Sequence, residues 1–140
     1  MRKRKPIIAF VFMVLFIIAF VFFYTGNYLG KRPFRNLEAN LIEKATIFII
    51  PPEETATINN KETLAELTKI LNKITIYQQD NSGREYEGQM VKFTLTMKDG
   101  TSLEIGAYNP FLIINSTWYK TKYEPCEELN ALGNRIIGSN

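Results

Sequence analysis

QMVKFTLTMKDGTSLEIGAY, residues 89–108, is a hairpin written out in its side chains. Val91, Phe93, Leu95 and Met97 alternate with Lys92, Thr94, Thr96 and Lys98. Strict alternation over eight residues is the period of a half-buried strand. Asp99-Gly100 then reads as a two-residue turn. Leu103, Ile105 and Ala107 resume the apolar face on the return. One face is apolar and the other wet, so the pair belongs to an antiparallel sheet covered on a single side.

The pattern extends in both directions. Upstream, Ile47–Ile50 is a short β-branched run stopped by Pro51 and Pro52. NNKETLAELTKILNKI, 59–74, repeats Leu64, Leu67, Ile70, Leu71 and Ile74 at helical spacing. Asn59 is its expected N-cap, with Glu62 three residues on. TIYQQD, 75–80, reads as a strand, and NSGREYEG, 81–88, as a solvated polar loop. Downstream, YNPFLIINSTWYK, 108–120, reads as two strands with Ser116-Thr117 at the tip, pairing Ile114 with Tyr119. EPCEELNALGNRIIG, 124–138, reads as a helix with Pro125 at its first position and acidic residues in its first turn. The expected fold is α+β, in the order β-α-β-β-β-β-β-α, with an antiparallel meander and both helices on one face.

The N-terminus is of a different kind. Ile7–Tyr24 is 18 residues without a charge, about 27 Å as a helix, close to the bilayer's hydrocarbon thickness. The run exceeds a cleavable signal's apolar core, and no small-x-small site follows it. It therefore reads as an uncleaved signal anchor. It carries no small-xxx-small pattern for tight helix pairing. Arg2, Lys3, Arg4 and Lys5 precede it; Lys31, Arg32 and Arg35 follow. The denser cluster favours a cytoplasmic N-terminus, with the C-terminal domain extracytoplasmic. Tyr24 and Tyr28 suit the far interface. The organisation expected is a basic tip and anchor at 1–24, a linker at 25–35, and the domain at 36–140.

Charge follows that division. The chain's net charge is +3, but seven basic and no acidic residues fall in 1–35, which leaves ten basic against fourteen acidic, −4. A mildly acidic domain lacks the electrostatic source for nucleic acid. The chain has no histidine, the commonest general base and metal ligand. Cys126, the one cysteine, cannot form an internal disulfide; with Leu129, Gly133 and Ile136 it shares a helix face and reads as a core thiol. The oxygens of Asp80, Asn81, Ser82, Glu85 and Glu87 do not match a calcium loop. Glu53 and Glu54 read as surface charges, and Asn115-Ser116-Thr117 as a turn. No metal, cofactor or catalytic residue is expected. In 108–122, Phe111, Ile113, Trp118, Lys120 and Lys122 fall together on the face away from Leu112, Ile114, Tyr119 and Tyr123. Apolar and aromatic with a lysine fringe, they are the candidate contact face if the helices leave it open.

With PFRNLEA, IPPEET, IYQQDNS, EYEGQ and YNPFLIINSTWYKTKYEPCEELN in place, residues Pro33 to Ile137 resemble a family of small membrane- or lipid-anchored extracytoplasmic domains of Firmicutes-type bacteria. The run YKTKYEPCEELN carries most of the likeness. The family has no assigned function, so the resemblance implies location and fold and brings no site residues. Its members tend to carry a glycine-bearing turn where this chain has Asn115–Trp118. The function expected is a single-pass extracytoplasmic binding or interaction module, an adaptor or sensor. It would be anchored in the bilayer by residues 7–24 and partnered by another membrane or envelope protein. An inhibitor or regulator of an envelope peptidase, presenting loop 80–88 or an edge strand, is the alternative. A carboxylate-based enzyme is a third reading with no visible arrangement behind it.

Overall fold

The computed structural model describes residues 4–139, and at 4–7 and 25–28 the backbone alone. The chain divides into two compact units, 1–30 and 31–140.

The first unit is helix α1, Arg4–Tyr28. Every side chain from Ile8 to Tyr24 is exposed, with Phe22 at 81%. Phe20 and Tyr24 stack at 5.5 Å along it. Among the described residues no helix is long and apolar enough to cross a membrane. The described side chains comprise Ile8–Tyr24, 17 of the 18 residues in the charge-free run. Arg2 and Lys3, and the side chains of Arg4, Lys5, Ile7 and Tyr28, lie outside the described residues. Of the segment 25–35 read as a linker, residues 25–28 continue α1. Lys31 exchanges backbone hydrogen bonds with Ile76 at 2.7 and 2.8 Å, and Phe34 is buried in the second unit's core.

The second unit is a seven-stranded antiparallel sheet with two helices on one face. Its strands are β1 (Ile42–Ile50), β2 (Glu54–Ile58), β3 (Ile76–Gln79), β4 (Met90–Met97), β5 (Ser102–Tyr108), β6 (Phe111–Ile114) and β7 (Thr117–Thr121). The helices are α2 (Lys61–Leu71) and α3 (Tyr123–Ile137). The sheet order is β2-β1-β4-β5-β6-β7-β3. Ile47, Ile49, Val91, Phe93, Leu95, Ile105 and Leu112 join α2's Leu64, Leu67 and Leu71 and α3's Cys126 and Leu129 in one core.

Several expectations change. The two prolines end β1 as expected, but the chain turns back into an unforeseen strand, β2, whose Ala56 and Ile58 reach the core. Only β4 to β7 form a meander. α2 carries the chain from one edge to the other, so β3 pairs with β7 and residues 80–89 must return across three strands to start β4 beside β1. The N-cap of α2 is Asn60, whose Oδ1 accepts from Thr63 N at 2.8 Å, one residue beyond Asn59. α3 begins at Tyr123, so Pro125 is its third residue and Lys122 the N-cap.

Both hairpin tips differ from the expected turns. A two-residue turn at Asp99-Gly100 would oppose Phe93 to Gly106. The observed pairing is Phe93 with Ile105 and Leu95 with Leu103. That needs a three-residue loop, closed by Gly100 at φ +85°, the left-handed position such loops require. At the second tip Asn115 and Ser116 turn the chain at φ 45° and 71°, and Ile114 pairs with Thr117. This moves the turn by one residue but shifts the pairing by an even step. The faces read from sequence therefore persist.

α3 crosses the sheet closely. A β-carbon at Gly133 would run into the Val91 side chain and come within 3.6 Å of Ile47 Cγ2. Gly133→Ala must push α3 away from β4 and is expected to cost about 1–3 kcal/mol. Urea unfolding of the full chain followed by circular dichroism checks this, with Gly100→Asn, in open space, as a mild comparison.

Candidate aromatic groove on the helix-free face

The helices leave the second sheet face open. Alternation places Phe48, Ile50, Met90, Lys92, Glu104, Tyr108, Phe111, Ile113, Trp118 and Lys120 there, joined by the pairs Ile50–Met90, Tyr108–Phe111, Ile113–Trp118 and Phe111–Lys120. Four of the five contact residues expected from sequence thus share this face. Phe111 is buried, Ile113 and Trp118 are half-buried, and Lys120 is exposed. Lys122 stands beyond β7 at the N-cap of α3.

Phe111 is buried because the returning segment 80–89 lies over it. Read as a solvated loop, this segment is a seated strap. Asp80 N donates to Trp118 O at 3.1 Å, tying its start to β7. A 3-10 turn, Asn81–Glu85, follows, and Asp80 Oδ1 accepts from Ser82 N at 2.9 Å. Gly83 then presses onto the rings: a β-carbon there would stand 2.6 Å from Trp118 Cζ3 and 2.7 Å from Phe111 Cδ2. Tyr86 stacks on Phe111 at 6.2 Å, and its carbonyl accepts from the Tyr108 hydroxyl. Trp118 meets Tyr108 edge-on at 5.6 Å and Phe111 at 6.1 Å. Aromatic pairs of this kind contribute about 0.5–1.5 kcal/mol each beyond their buried area.

Between the strap and the β1–β2 turn runs a hollow of about 660 Å³, walled by Ile50, Pro51, Tyr86, Met90, Tyr108 and Trp118, with Arg84 and Glu87 beside them. Tyr86 is 63% exposed. A second hollow of about 530 Å³ lies on the other side of Tyr86 and Tyr108, reaching Asn109, Pro110, Glu127 and Asn130. Asn109 Nδ2 donates to Glu127 Oε2 at 3.0 Å, while the side-chain oxygens of Asn109 and Asn130 are buried without a partner among the described residues. Each such oxygen costs about 1–3 kcal/mol.

Sequence reasoning missed Tyr86, Tyr108, Ile50 and Met90 as parts of the site. Tyr108 was within reach, since alternation sets it opposite Ala107. Tyr86 carried no local signal. Cys126 is fully buried, its Sγ donates to Phe111 O at 3.3 Å, and burial pushes its thiol up to about 12. That leaves it a core thiol rather than a nucleophile. Among the described residues no three His, Cys, Asp or Glu side chains gather to hold a metal. No protein-family model, curated protein or solved structure matches the chain.

Asp80 holds the strap's first turn electrostatically. Hydrogen bonds from Ser82, then Lys120 Nζ at 3.3 Å, set its carboxyl below the ordinary value. A depressed folded pKa contributes stability that is complete above the unfolded carboxyl's pKa and is lost as pH falls through the folded one. Acidification below about pH 4 is expected to loosen the strap and change the emission of Trp118, the chain's one tryptophan. Asp80→Asn should remove that acid step; Asp99→Asn, whose carboxyl is also depressed but by Thr101, should retain it.

Proposed function

We propose that this chain is a single-pass, membrane-anchored binding module, with α1 in the bilayer, the N-terminus cytoplasmic and residues 31–140 extracytoplasmic. The groove beside the strap then takes a segment of a neighbouring membrane protein, a peptide or an envelope component. Catalysis is no part of this reading.

The groove is the observation that carries it. Tyrosine and tryptophan supply large contact area at little conformational cost, and they concentrate at binding surfaces. The anchor rests on a helix apolar on every side, which in water would leave its whole surface unfavourably exposed, and on the charge-free 18-residue run in the sequence. The resemblance to anchored extracytoplasmic domains points the same way. The peptidase-inhibitor reading asks segment 80–88 to be a free loop. Burial of Gly83 against the rings instead ties the segment to the sheet, with Asn81, Ser82 and Arg84–Gly88 exposed on either side of it.

Two measurements test this reading. Cys126 is buried and its thiol pKa raised, so it is silent to maleimides at neutral pH. A cysteine placed at exposed Glu62 should react with a membrane-impermeant maleimide in intact cells; labelling only after lysis would reverse the orientation. A photoreactive phenylalanine at position 86 should crosslink one dominant partner in intact cells, and the same group at exposed Lys61, at the start of α2, should not. Tyr86→Ala should abolish that partner's co-purification with the fold intact. Equal capture from both positions would remove the groove as the contact site.

A further inference from the structure

The second hollow, between Tyr86, Tyr108 and α3, has a chemistry of its own. Its two charged lining residues are both acidic, Glu87 and Glu127, and no lysine or arginine reaches it. Neither carboxylate is in an ion pair among the described residues. The donors around it are largely spent. Asn109 Nδ2 is given to Glu127, Gln89 Nε2 to Pro51 O at 3.0 Å, and the Tyr108 hydroxyl to Tyr86 O. Acceptors remain. Of the three buried side-chain oxygens without a partner among the described residues, two belong to this wall, Asn109 Oδ1 and Asn130 Oδ1. Neither oxygen is at the surface; the Asn109 amide is held by its bond to Glu127, so only Asn130 can turn its oxygen to an entering donor without losing that bond.

Two carboxylates without a counter-charge, two phenol rings and two orphaned amide oxygens in the wall together describe the complement of an N–H-bearing organic cation. We infer that this hollow is a subsite for a primary ammonium or guanidinium group, and that the occupant's adjoining apolar part lies across Tyr86 into the aromatic groove. The inference rests on the binding-module reading and names its ligand class: a basic residue beside an apolar one in an extended peptide, or a free organic amine of the same chemistry. The local negative charge of Glu87 and Glu127 favours the approach of either.

The test is a ligand-observed NMR titration of the full chain in uncharged maltoside micelles. The probes are acetyl-Phe-Lys-amide, its neutral twin acetyl-Phe-norleucine-amide, and butylammonium. The lysine peptide should bind about tenfold more tightly than the norleucine peptide. Glu127→Gln, which keeps the shape and the Asn109 hydrogen bond, should erase that difference. Glu124→Gln, a charge on the same helix outside the hollow, should leave it. Salt should weaken the lysine peptide and butylammonium but not the norleucine peptide. Tighter binding of the peptide than of butylammonium marks a peptide ligand; equal binding marks a free amine. Equal affinity for the two peptides, or indifference to Glu127→Gln, would overturn the cation subsite; if Tyr86→Ala then abolished both, the aromatic groove would stand without it. Failure of every cationic probe to saturate would also overturn the subsite, and the groove would still be judged by the crosslink at position 86.

Discussion

The second unit depends on one constraint: its sheet can bury only one of its two faces. Two helices, 11 and 15 residues long, supply a single covering layer. Each strand must therefore send its apolar side chains to that layer in phase with its neighbours. Ala45, Ile47, Ile49, Val91, Phe93, Leu95, Ile105, Ala107 and Leu112 do so with almost no exposure. Because side chains alternate with a period of two, a strand out of phase by one residue would expose its whole contribution. Gly133 brings α3 close enough to close the layer over Val91 and Ile47.

Turn chemistry yields to this constraint where the two conflict. Asp99-Gly100 is a strong local signal for a two-residue loop. Obeying it would set Phe93 against Gly106 and bring Ile105 to the open side. A longer loop with Gly100 in the left-handed region keeps both residues inside, and burial of several aliphatic side chains outweighs one preferred turn geometry. At Asn115-Ser116 no such conflict exists. The turn settles where Asn115 can exchange two hydrogen bonds with the Glu104 backbone, its own N–H donating and its side-chain oxygen accepting, each at 3.0 Å.

The groove on the open face is a consequence of topology. Once α2 delivers β3 to the far edge, the chain must recross the sheet to begin β4, and the helix side is already occupied. The crossing runs over the open face, where Gly83 allows backbone to lie against Trp118 and Phe111. Rings that would otherwise be an exposed patch become a walled groove with a partly buried floor and one prominent, exposed ring, Tyr86. The same crossing divides the groove from the hollow at α3, with Tyr86 and Tyr108 as their common wall.

Local periodicity was enough to reveal the α+β class, the two amphipathic helices, the alternating strands and the faces of the last hairpin. Burial on one side imprints a period of 2 or 3.6 on the residues themselves. The charge-free N-terminal run and the acidic remainder are likewise properties of composition. Phe111, Ile113, Trp118 and Lys120 could be grouped because strand alternation is local. The strand at Glu54–Ile58, the position of β3, the seating of 81–88 and the membership of Tyr86 could not. Each depends on which distant strand a segment meets, and that is decided by long-range pairing and by which sheet face the helices leave vacant. Tyr86 sits in a polar, glycine-bearing stretch indistinguishable by composition from a solvated loop. Only the rings beneath it, contributed by residues more than twenty positions away, make it part of a site.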